Sequence, residues 1–294
     1  MELRTLYYFL TIAREENITR AAEVLHITQP TLSRQMMQLE EEIGKPLMIR
    51  GKRKVKLTNA GMLLYRRADE ILNLVDKTEK ELFNEDENMN GKLFIGAAEC
   101  SATYIFLPCI IQSFSQKYPQ VTYDFYTGNA DLIKERIDQG IIDIGILLEP
   151  VDIEKYDFIR LPQKERWGII VHKNNLLSQK KYIVSQDLMN IPLLNTNRSI
   201  VQNEIASWFQ EDYEKLHFLA TYNLLSNAIS LVKQDLGSVI SIEGAFYHYS
   251  QDEVTFVPFY PTLKTGCVLV WKKHQVLSPI VEQFLKQVYN ALED

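Results

Sequence analysis

The sequence predicts a multi-domain α+β chain: a winged helix-turn-helix at the amino terminus, a long linker helix, and a larger α/β part. Three observations predict this division. Amphipathic helix patterns crowd the first 83 residues, the acidic polar stretch NEDENMNG follows at residues 84–91, and apolar strands then alternate with helices. A length of 294 residues suits one large domain or two ordinary ones.

The first helices follow one another closely. Residues 3–16 (LRTLYYFLTIAREE) predict an amphipathic helix, and residues 19–25 predict a short second one. A third helix is expected from about Gln29 to Ile43, where Gly44 supplies the stop signal. Two short helices joined by a turn of three or four residues form a helix-turn-helix.

A basic hairpin and a long helix are predicted next. Residues 47–58 (LMIRGKRKVKLT) predict two short strands around a basic tip, which is a wing. Residues 60–83 again have a helical apolar face. A helix that long protrudes from a small domain unless something covers it, and pairing with another copy's helix is the natural cover. The polar residues after it predict a hinge at 85–91.

The third helix opens with the short polar side chains of ITQPTLSRQ. Such a tip can enter the DNA major groove without holding the backbone away from the bases, and helix N-terminal amides favour phosphate. Gln29 and Gln35 can pair with adenine edges. Thr31, Ser33 and Arg34 can reach phosphates or guanine. A capped surface helix is the alternative, and the neighbouring basic wing favours the DNA interpretation.

The charge distribution agrees with a basic head. The net charge is −6, yet residues 1–67 carry 12 Lys and Arg against 7 Asp and Glu, a net charge of +5, and the remainder carries −11. A basic segment on an acidic body permits contact with nucleic acid, although the average charge alone would argue against it.

From residue 92 the pattern changes to continuous apolar strands. Residues 92–99 (KLFIGAAE), 121–128 (VTYDFYTG) and 141–148 (IIDIGILL) read as buried strands with helices between them, and the chain closes with a helix at 279–292. Such alternation is typical of a parallel sheet that is covered on both faces.

Composition and motifs exclude several classes of protein. The chain is 46% hydrophobic and 24% charged, as in ordinary globular proteins. Its three scattered cysteines form no CxxC, which favours a reducing compartment. No apolar run reaches the roughly 20 residues of a membrane span, and no signal-peptide pattern opens the chain. We expect a cytoplasmic protein that does not enter a membrane. Common catalytic motifs are missing from the sequence, so no catalytic residue, metal ligand or cofactor is predicted.

The stretch AAEVLHITQPTLSRQMMQLEEEIGKPLMIRGKRKVKLTNAG resembles the DNA-binding segment of LysR-type transcriptional regulators. Met48 departs from the family pattern, which usually has Phe there; this affects packing more than base readout. The specific resemblance covers residues 1–85. The matching residues are Ala21, Ala22, Gln29, Pro30, Ser33, Leu39, Glu40, Gly44, Leu47, Arg50, Leu57, Thr58, Ala60 and Gly61.

The resemblance implies a winged helix-turn-helix DNA-binding domain at 1–58, a dimerisation helix at 59–84 and an effector-binding domain at 92–294. It implies a sequence-specific regulator that binds a double-stranded operator with dyad symmetry and associates as a dimer or tetramer. Arg50 could instead pair with Glu40 or Glu41 within the fold. DNA contacts are implied at Thr28, Gln29, Pro30, Thr31, Ser33, Arg34, Gln35, Arg50, Lys52, Arg53 and Lys54.

The second part is implied to resemble a type 2 periplasmic binding protein, with two α/β subdomains and a small-molecule effector between them. Subdomain I would comprise residues 92–161 and 267–294, and subdomain II residues 162–266. Polar side chains where strands end and helices begin would line the cleft. The candidates are Ser101, Thr103, Thr127, Asn129, Thr196, Asn197 and Arg198.

These groups would suit a small carboxylate or similar anion. Simple helix caps are the alternative for most of them. Arg198 could pair with Glu204 on its own helix, and Glu99 in the cleft would favour a cation or a hydroxyl-rich ligand. Two other functions stay open: a DNA-binding regulator without a small-molecule effector, and a solute-binding or transferase-like α/β protein whose head only dimerises.

Overall fold

The computed structural model describes residues 1–51, 54–83, 89–249 and 251–293. Contacts divide the chain into two compact units, Met1–Phe83 and Asn84–Asp294. The first unit runs in the order α1 (Leu3–Glu15), α2 (Ile18–Val24), α3 (Gln29–Ile43), β1 (Met48–Arg50), β2 (Val55–Leu57) and α4 (Asn59–Phe83).

The helix-turn-helix is formed by α2 and α3, and capping residues define both. The Asn17 side chain accepts two backbone N–H bonds at the start of α2. Thr28 caps α3 by accepting from the Thr31 N–H at 3.4 Å, and Gly44 ends α3 with a left-handed φ of 73°. The third helix and its glycine stop are therefore confirmed as predicted.

A small apolar core lies under α3. Leu32, Met36 and Leu39 form its buried stripe and pack in one cluster with Phe9 of α1. This stripe orients the helix so that its polar start stays at the surface. It explains why the helix begins with short polar residues and becomes apolar only on its inner face.

The predicted wing strands are confirmed as an antiparallel pair, β1 with β2. Its base is fixed to the rest of the unit: the Glu40 carboxylate accepts from the backbone N–H groups of Leu47 and Met48, at 2.7 and 3.1 Å. The Leu47 carbonyl oxygen lies so close to Gly61 that an added Cβ there would overlap it. The wing thus enters α4 through a close backbone approach that only glycine permits.

The long helix α4 spans the residues predicted for a linker helix. Apolar side chains are exposed along it, at Met62, Leu63, Ile71 and Leu74. Residues 85–88 of the predicted hinge lie outside the described part of the chain.

The second unit alternates strands and helices as the sequence predicts. A π-helical turn (Ala102–Phe106) leads into its first helix. The elements are β3 (Gly91–Ala97), α5 (Leu107–Lys117), β4 (Val121–Thr127), α6 (Ala130–Asp138), β5 (Ile144–Leu148), β6 (Tyr156–His172), β7 (Pro192–Thr196), α7 (Ser199–Phe209), β8 (His217–Tyr222), α8 (Leu225–Lys233), β9 (Ser238–Ile242), α9 (Glu243–Phe246), β10 (Val254–Pro258), β11 (Lys264–Lys272) and α10 (Pro279–Glu293).

The strands form a mixed sheet in the order β4-β3-β5-β11-β6-β9-β7-β8, with β10 also paired to β6. β3 runs parallel to β4 and β5, and β7 runs parallel to β8 and β9. β11 is antiparallel to both β5 and β6, so the prediction of a parallel sheet is confirmed for β3–β5 and for β7–β9 and is wrong for β11. The central strand β11 is buried on both faces, and an apolar run of that kind does not reveal strand direction.

Strand β6 connects two α/β subdomains. Its first part pairs with β11 as far as Arg166, and its second part pairs with β9 and β10 from Trp167 onward. β11 returns along the same path, so the chain crosses between the subdomains twice. The sequence predicts a strand only over residues 166–173 (RWGIIVHK) of β6, because Pro162 and the surrounding charges argue against a strand before them. Pro162 lies where the register between β6 and β11 shifts. Within the described residues, no helix is both long and apolar enough to cross a membrane.

Candidate functional site

The polar start of α3 forms an ordered, exposed surface. Thr28, Gln29, Pro30 and Thr31 are all exposed. The Gln29 amide donates to the Ser33 hydroxyl at 2.8 Å, and the hydroxyls of Thr28 and Thr31 lie 2.8 Å apart. These bonds hold short side chains in place along one edge of the helix. Because none of these groups is buried, all of them can exchange their present bonds for bonds to a partner.

The next turn of α3 offers a cation. Arg34 is exposed, and no hydrogen bond or ion pair of its guanidinium is found among the described residues. Gln35 is half-buried, and its amide makes a long bond of 3.4 Å to the Gln38 side chain. The tip therefore presents amide, hydroxyl and guanidinium groups, the side chains that read base edges and phosphates.

The tip of the wing is held near the end of α1, because Lys54 pairs with Glu16, the residue that follows that helix. Lys54 Nζ lies 2.5 Å from Glu16 Oε2, and this ion pair lowers the pKa of Glu16. Lys54 thus has a partner within the fold that DNA phosphates would have to replace. Lys52 and Arg53, and the side chain of Arg50, lie outside the part of the chain that the structure describes.

The second unit contains a cavity of about 80 Å³ between strand ends and helix starts of both subdomains. Its wall combines apolar side chains with a few polar groups, which is typical of small-molecule sites. It is lined by Ala98, Glu99, Gly128, Asn129, Ala130, Leu148, Trp167, Thr196, Arg198, Val201, Tyr222, Asn223, Leu224, Leu225, Ser241, Ile242 and Ala245.

Arg198 is the cation of this wall, and it bridges the subdomains. Its side chain is only 6% exposed, and its Nε donates to Asp131 Oδ2 at 3.1 Å. Nη2 makes longer contacts to Asp131 Oδ1 and to the Pro150 carbonyl, at 3.5 and 3.4 Å. The sequence offered Glu204 as the partner of Arg198; that pairing was wrong, because the guanidinium reaches across to α6 instead of along its own helix.

Glu99 brings an opposite charge to the wall. Its carboxylate accepts from the Leu225 backbone N–H at 2.7 Å and from the Tyr249 hydroxyl at 3.0 Å. Burial and the nearby Glu99 charge both raise the pKa of Tyr249, so this hydroxyl stays protonated and keeps donating. Glu99 therefore links the end of β3 to the start of α8 in the other subdomain.

Of the predicted cleft residues, Asn129, Thr196 and Arg198 line the cavity. Asn129 also caps α6, and Thr196 accepts from the Arg198 N–H at 3.3 Å. Thr127 and Asn197 are exposed and do not belong to the lining.

Ser101 and Thr103 also lie outside the lining, because both hydroxyls serve the fold. The Ser101 hydroxyl donates to Glu165 Oε1, and the Thr103 hydroxyl donates to the Ala98 carbonyl at 2.6 Å. The sequence identified the correct strand–helix junction but could not show that these groups already have partners.

Sequence reasoning missed Trp167, Tyr222 and Asn223 as lining residues. Tyr222 and Asn223 stand where β8 ends and α8 approaches, so the strand-end rule that selected the other candidates could have found them. Trp167 could not be identified in this way, because it lies within an apolar strand, where a tryptophan is expected to belong to the hydrophobic core.

A second charged cluster lies where β5 and β11 meet α7. Glu149, Lys164, Lys264 and Glu204 line an open cavity of about 560 Å³ there. Burial, and then repulsion by Glu149, raises the pKa of Glu204.

A winged helix-turn-helix with an exposed polar tip, followed by a two-subdomain α/β unit with a cavity, defines a DNA-binding transcriptional regulator. Two family descriptions match this chain: "Bacterial regulatory helix-turn-helix protein, lysR family" over residues 3–62, and "LysR substrate binding domain" over residues 86–293. The chain therefore belongs to the LysR family of transcriptional regulators.

Two named regulators are similar to this chain along almost their whole length, and a third is similar along about two thirds of its length. The Hca operon transcriptional activator HcaR of Escherichia coli (strain K12) is 28% identical, with 99% of this chain and 98% of the relative aligned. The HTH-type transcriptional regulator BudR of Raoultella terrigena is also 28% identical, with 97% and 99% aligned. AlsR of Bacillus subtilis (strain 168) is 34% identical, with 66% and 64% aligned.

A solved structure of a full-length regulator shares the fold. The crystal structure of CbnR, a LysR family transcriptional regulator, has a TM-score of 0.77 at 22% identity, and all of both chains is covered. CbnR in complex with its target DNA gives a TM-score of 0.76 at 22% identity, with 99% of this chain and 100% of CbnR covered.

Proposed function

We propose that the α3 tip and the wing bind a specific operator. The observation that carries this proposal is the exposed row of side chains at the start of α3, with Arg34 unpaired within the described residues beside it. In a helix-turn-helix such a tip enters the major groove, and a wing follows the backbone or the minor groove. The contact residues we propose are Thr28, Gln29, Pro30, Thr31, Ser33, Arg34, Gln35, Arg50, Lys52, Arg53 and Lys54.

We also propose that two heads act together on a dyad-symmetric operator, with copies joined along α4. The exposed apolar residues Met62, Leu63, Ile71 and Leu74 support this, because a helix with such a stripe is stabilised when a second helix covers it. CbnR, a similar protein, has been solved with its target DNA. Because the target is DNA, we place the action of the protein in the cytoplasm, together with the operator.

The cavity of the second unit is our candidate effector site. Arg198 and Glu99 stand in the same wall, so the best-matched small molecule carries an acceptor, such as a carboxylate, and a separate donor. A simple anion that has no hydrogen-bond donor would lie in the same cavity as the Glu99 carboxylate, and the two negative charges would repel each other. Asn129, Thr196 and Tyr222 add neutral polar groups to the same wall.

The DNA proposal is tested by replacing Gln29, Ser33 and Arg34 with Ala. The duplex is selected from a random library by the wild-type protein, and affinity is measured by fluorescence anisotropy over a range of salt concentrations. A lost base contact costs about 1–3 kcal/mol, so the triple variant should lose at least about a hundredfold in affinity. Its thermal stability and oligomeric mass should not change, because these side chains are exposed or half-buried.

Glu23→Ala is the matched control, since Glu23 is exposed on α2 and lies outside the proposed contacts. Unchanged affinity of the triple variant would refute the proposed readout. A flat salt dependence of the wild-type protein would refute the proposed phosphate contacts of the wing.

A further inference from the structure

Three buried side chains outside the DNA-binding tip and the cavity converge in the second unit. They are Cys100, which follows β3, Glu165 in β6 and Cys267 in β11. The two Sγ atoms and a carboxylate oxygen all lie within 4.8 Å of one another. The exposed fractions are 0% for Cys100, 2% for Glu165 and 1% for Cys267.

The Glu165 carboxylate has no cationic partner among the described residues. Its neighbour Arg166 is committed elsewhere, to both carboxylate oxygens of Glu243. Glu165 instead accepts three hydrogen bonds: from the Ser101 N–H, from the Ser101 hydroxyl and from the Gly244 N–H. Buried carboxylates are ordinarily paired with a cation or bound to a metal ion. Two thiols beside an unpaired carboxylate give the donor set of a thiophilic cation.

The same three hydrogen bonds fix the orientation of the carboxylate. Two of them go to Oε1 and one to Oε2, so Oε2 keeps a lone-pair direction for a further ligand. Gly244 packs so tightly on the group that an added Cβ would collide with both oxygens. Outer hydrogen bonds that hold a ligand rigidly are a regular feature of metal sites.

We propose that Cys100, Glu165 and Cys267 bind one Zn²⁺ ion. Zinc is bound by thiolate sulfur and carboxylate oxygen, and three protein ligands leave the fourth tetrahedral position for a water molecule. Each thiol loses its proton when the ion binds, so two protons are released per zinc. The ion would join the β3–α5 junction to β6 and β11, the two strands that cross between the subdomains.

The test uses the full-length protein, kept reduced with a phosphine and stripped of metal. Co²⁺ is titrated as a spectroscopic probe for Zn²⁺. One equivalent per chain should produce a thiolate-to-cobalt charge-transfer band and the strong visible bands of a tetrahedral site. Zn²⁺ should abolish these bands by displacing Co²⁺, release two protons and raise the melting temperature of the second unit.

Cysteine variants locate the site. Cys100→Ser and Cys267→Ser should each weaken Co²⁺ binding by at least about tenfold, because a lost ligand costs more than a lost outer-shell bond. Cys109→Ser is the matched control, since this cysteine is exposed and lies outside the cluster. It should bind Co²⁺ as the wild-type protein does.

Several results would overturn the proposal. A wild-type protein that is reduced and folded by circular dichroism but shows no charge-transfer band would do so by itself, even if a serine variant failed to fold. Bands that survive in Cys100→Ser and Cys267→Ser, or that disappear in Cys109→Ser, would place the ion elsewhere. Recovery of a Cys100–Cys267 disulfide in place of Co²⁺ binding, with reductant present, would also overturn it.

Discussion

The ion pair between Arg198 and Asp131 should respond very differently to the loss of each partner. Arg198 is almost fully buried, whereas the Asp131 side chain is 59% exposed. In Asp131→Ala the guanidinium stays buried and keeps only its 3.4 Å contact to the Pro150 carbonyl. In Arg198→Met the apolar stem is retained, and Asp131 is left with access to water. An unpaired charge is costly inside a protein and inexpensive at its surface.

The magnitude follows from the geometry. Only the Nε–Oδ2 bond, at 3.1 Å, has a good length, since Nη2–Oδ1 at 3.5 Å lies at the outer limit. A hydrogen bond to a charged group contributes about 1.5–3 kcal/mol, and the exposure of Asp131 reduces this through screening. We therefore expect Asp131→Ala to destabilise the second unit by about 1–2 kcal/mol. Arg198→Met should destabilise the unit by less than about half as much as Asp131→Ala does.

Tryptophan fluorescence is the appropriate assay, because all three tryptophans lie in the second unit. Urea unfolding of the full-length protein then reports the stability of that unit separately from the head. The double variant Asp131→Ala/Arg198→Met completes a mutant cycle and should be as stable as Arg198→Met alone. Equal costs for the two single variants, or a double variant less stable than Asp131→Ala, would refute the reasoning.

Three further outcomes are expected. Gly61→Ala should destabilise the head by close to the upper end of the roughly 1–3 kcal/mol range for overpacking, because its Cβ would overlap the Leu47 carbonyl oxygen; calorimetry that resolves the unfolding transition of the head measures this. Thr28→Ala should cost the same unit about 1 kcal/mol through loss of the α3 cap, while Thr28→Asn should restore it. Glu204 has a folded-state pKa above its usual value, so its contribution to stability is present at acidic pH and is lost as the pH rises through that folded-state pKa. Glu204→Gln should therefore unfold at a higher temperature than the wild-type protein at neutral pH, and the advantage should disappear in acid; an advantage confined to acid would contradict the assignment.

The head could be predicted closely because its signals are local. All the signals for α3 lie within the helix or next to it. They are the cap Thr28, the stop Gly44 and the apolar spacing of Leu32, Met36 and Leu39. Signals of this kind can be recognised from neighbouring residues in the sequence without knowledge of the tertiary structure.

The α/β unit was predicted less completely because its signals are long-range. The antiparallel direction of β11 depends on partners far away in the sequence. The first half of β6 was not predicted, because Pro162 argues against a strand and the pairing with β11 is not visible locally. The cavity illustrates the same limit. For Ser101 and Arg198 the sequence offered ligand contacts or local partners, a helix cap for Ser101 and Glu204 for Arg198. Each side chain instead meets a carboxylate from a distant element, Glu165 or Asp131.

The position of β11 has a consequence for synthesis on the ribosome. β11 lies between β5 and the first half of β6 and supplies the hydrogen-bonding partner of both. The ribosome makes β11 more than a hundred residues after β5. Until it emerges, the nascent chain carries two unsatisfied strand edges, and such edges invite pairing with the wrong chain. We expect fragments that stop before Lys264 to require a chaperone or to aggregate, whereas release of the complete chain should relieve the hazard.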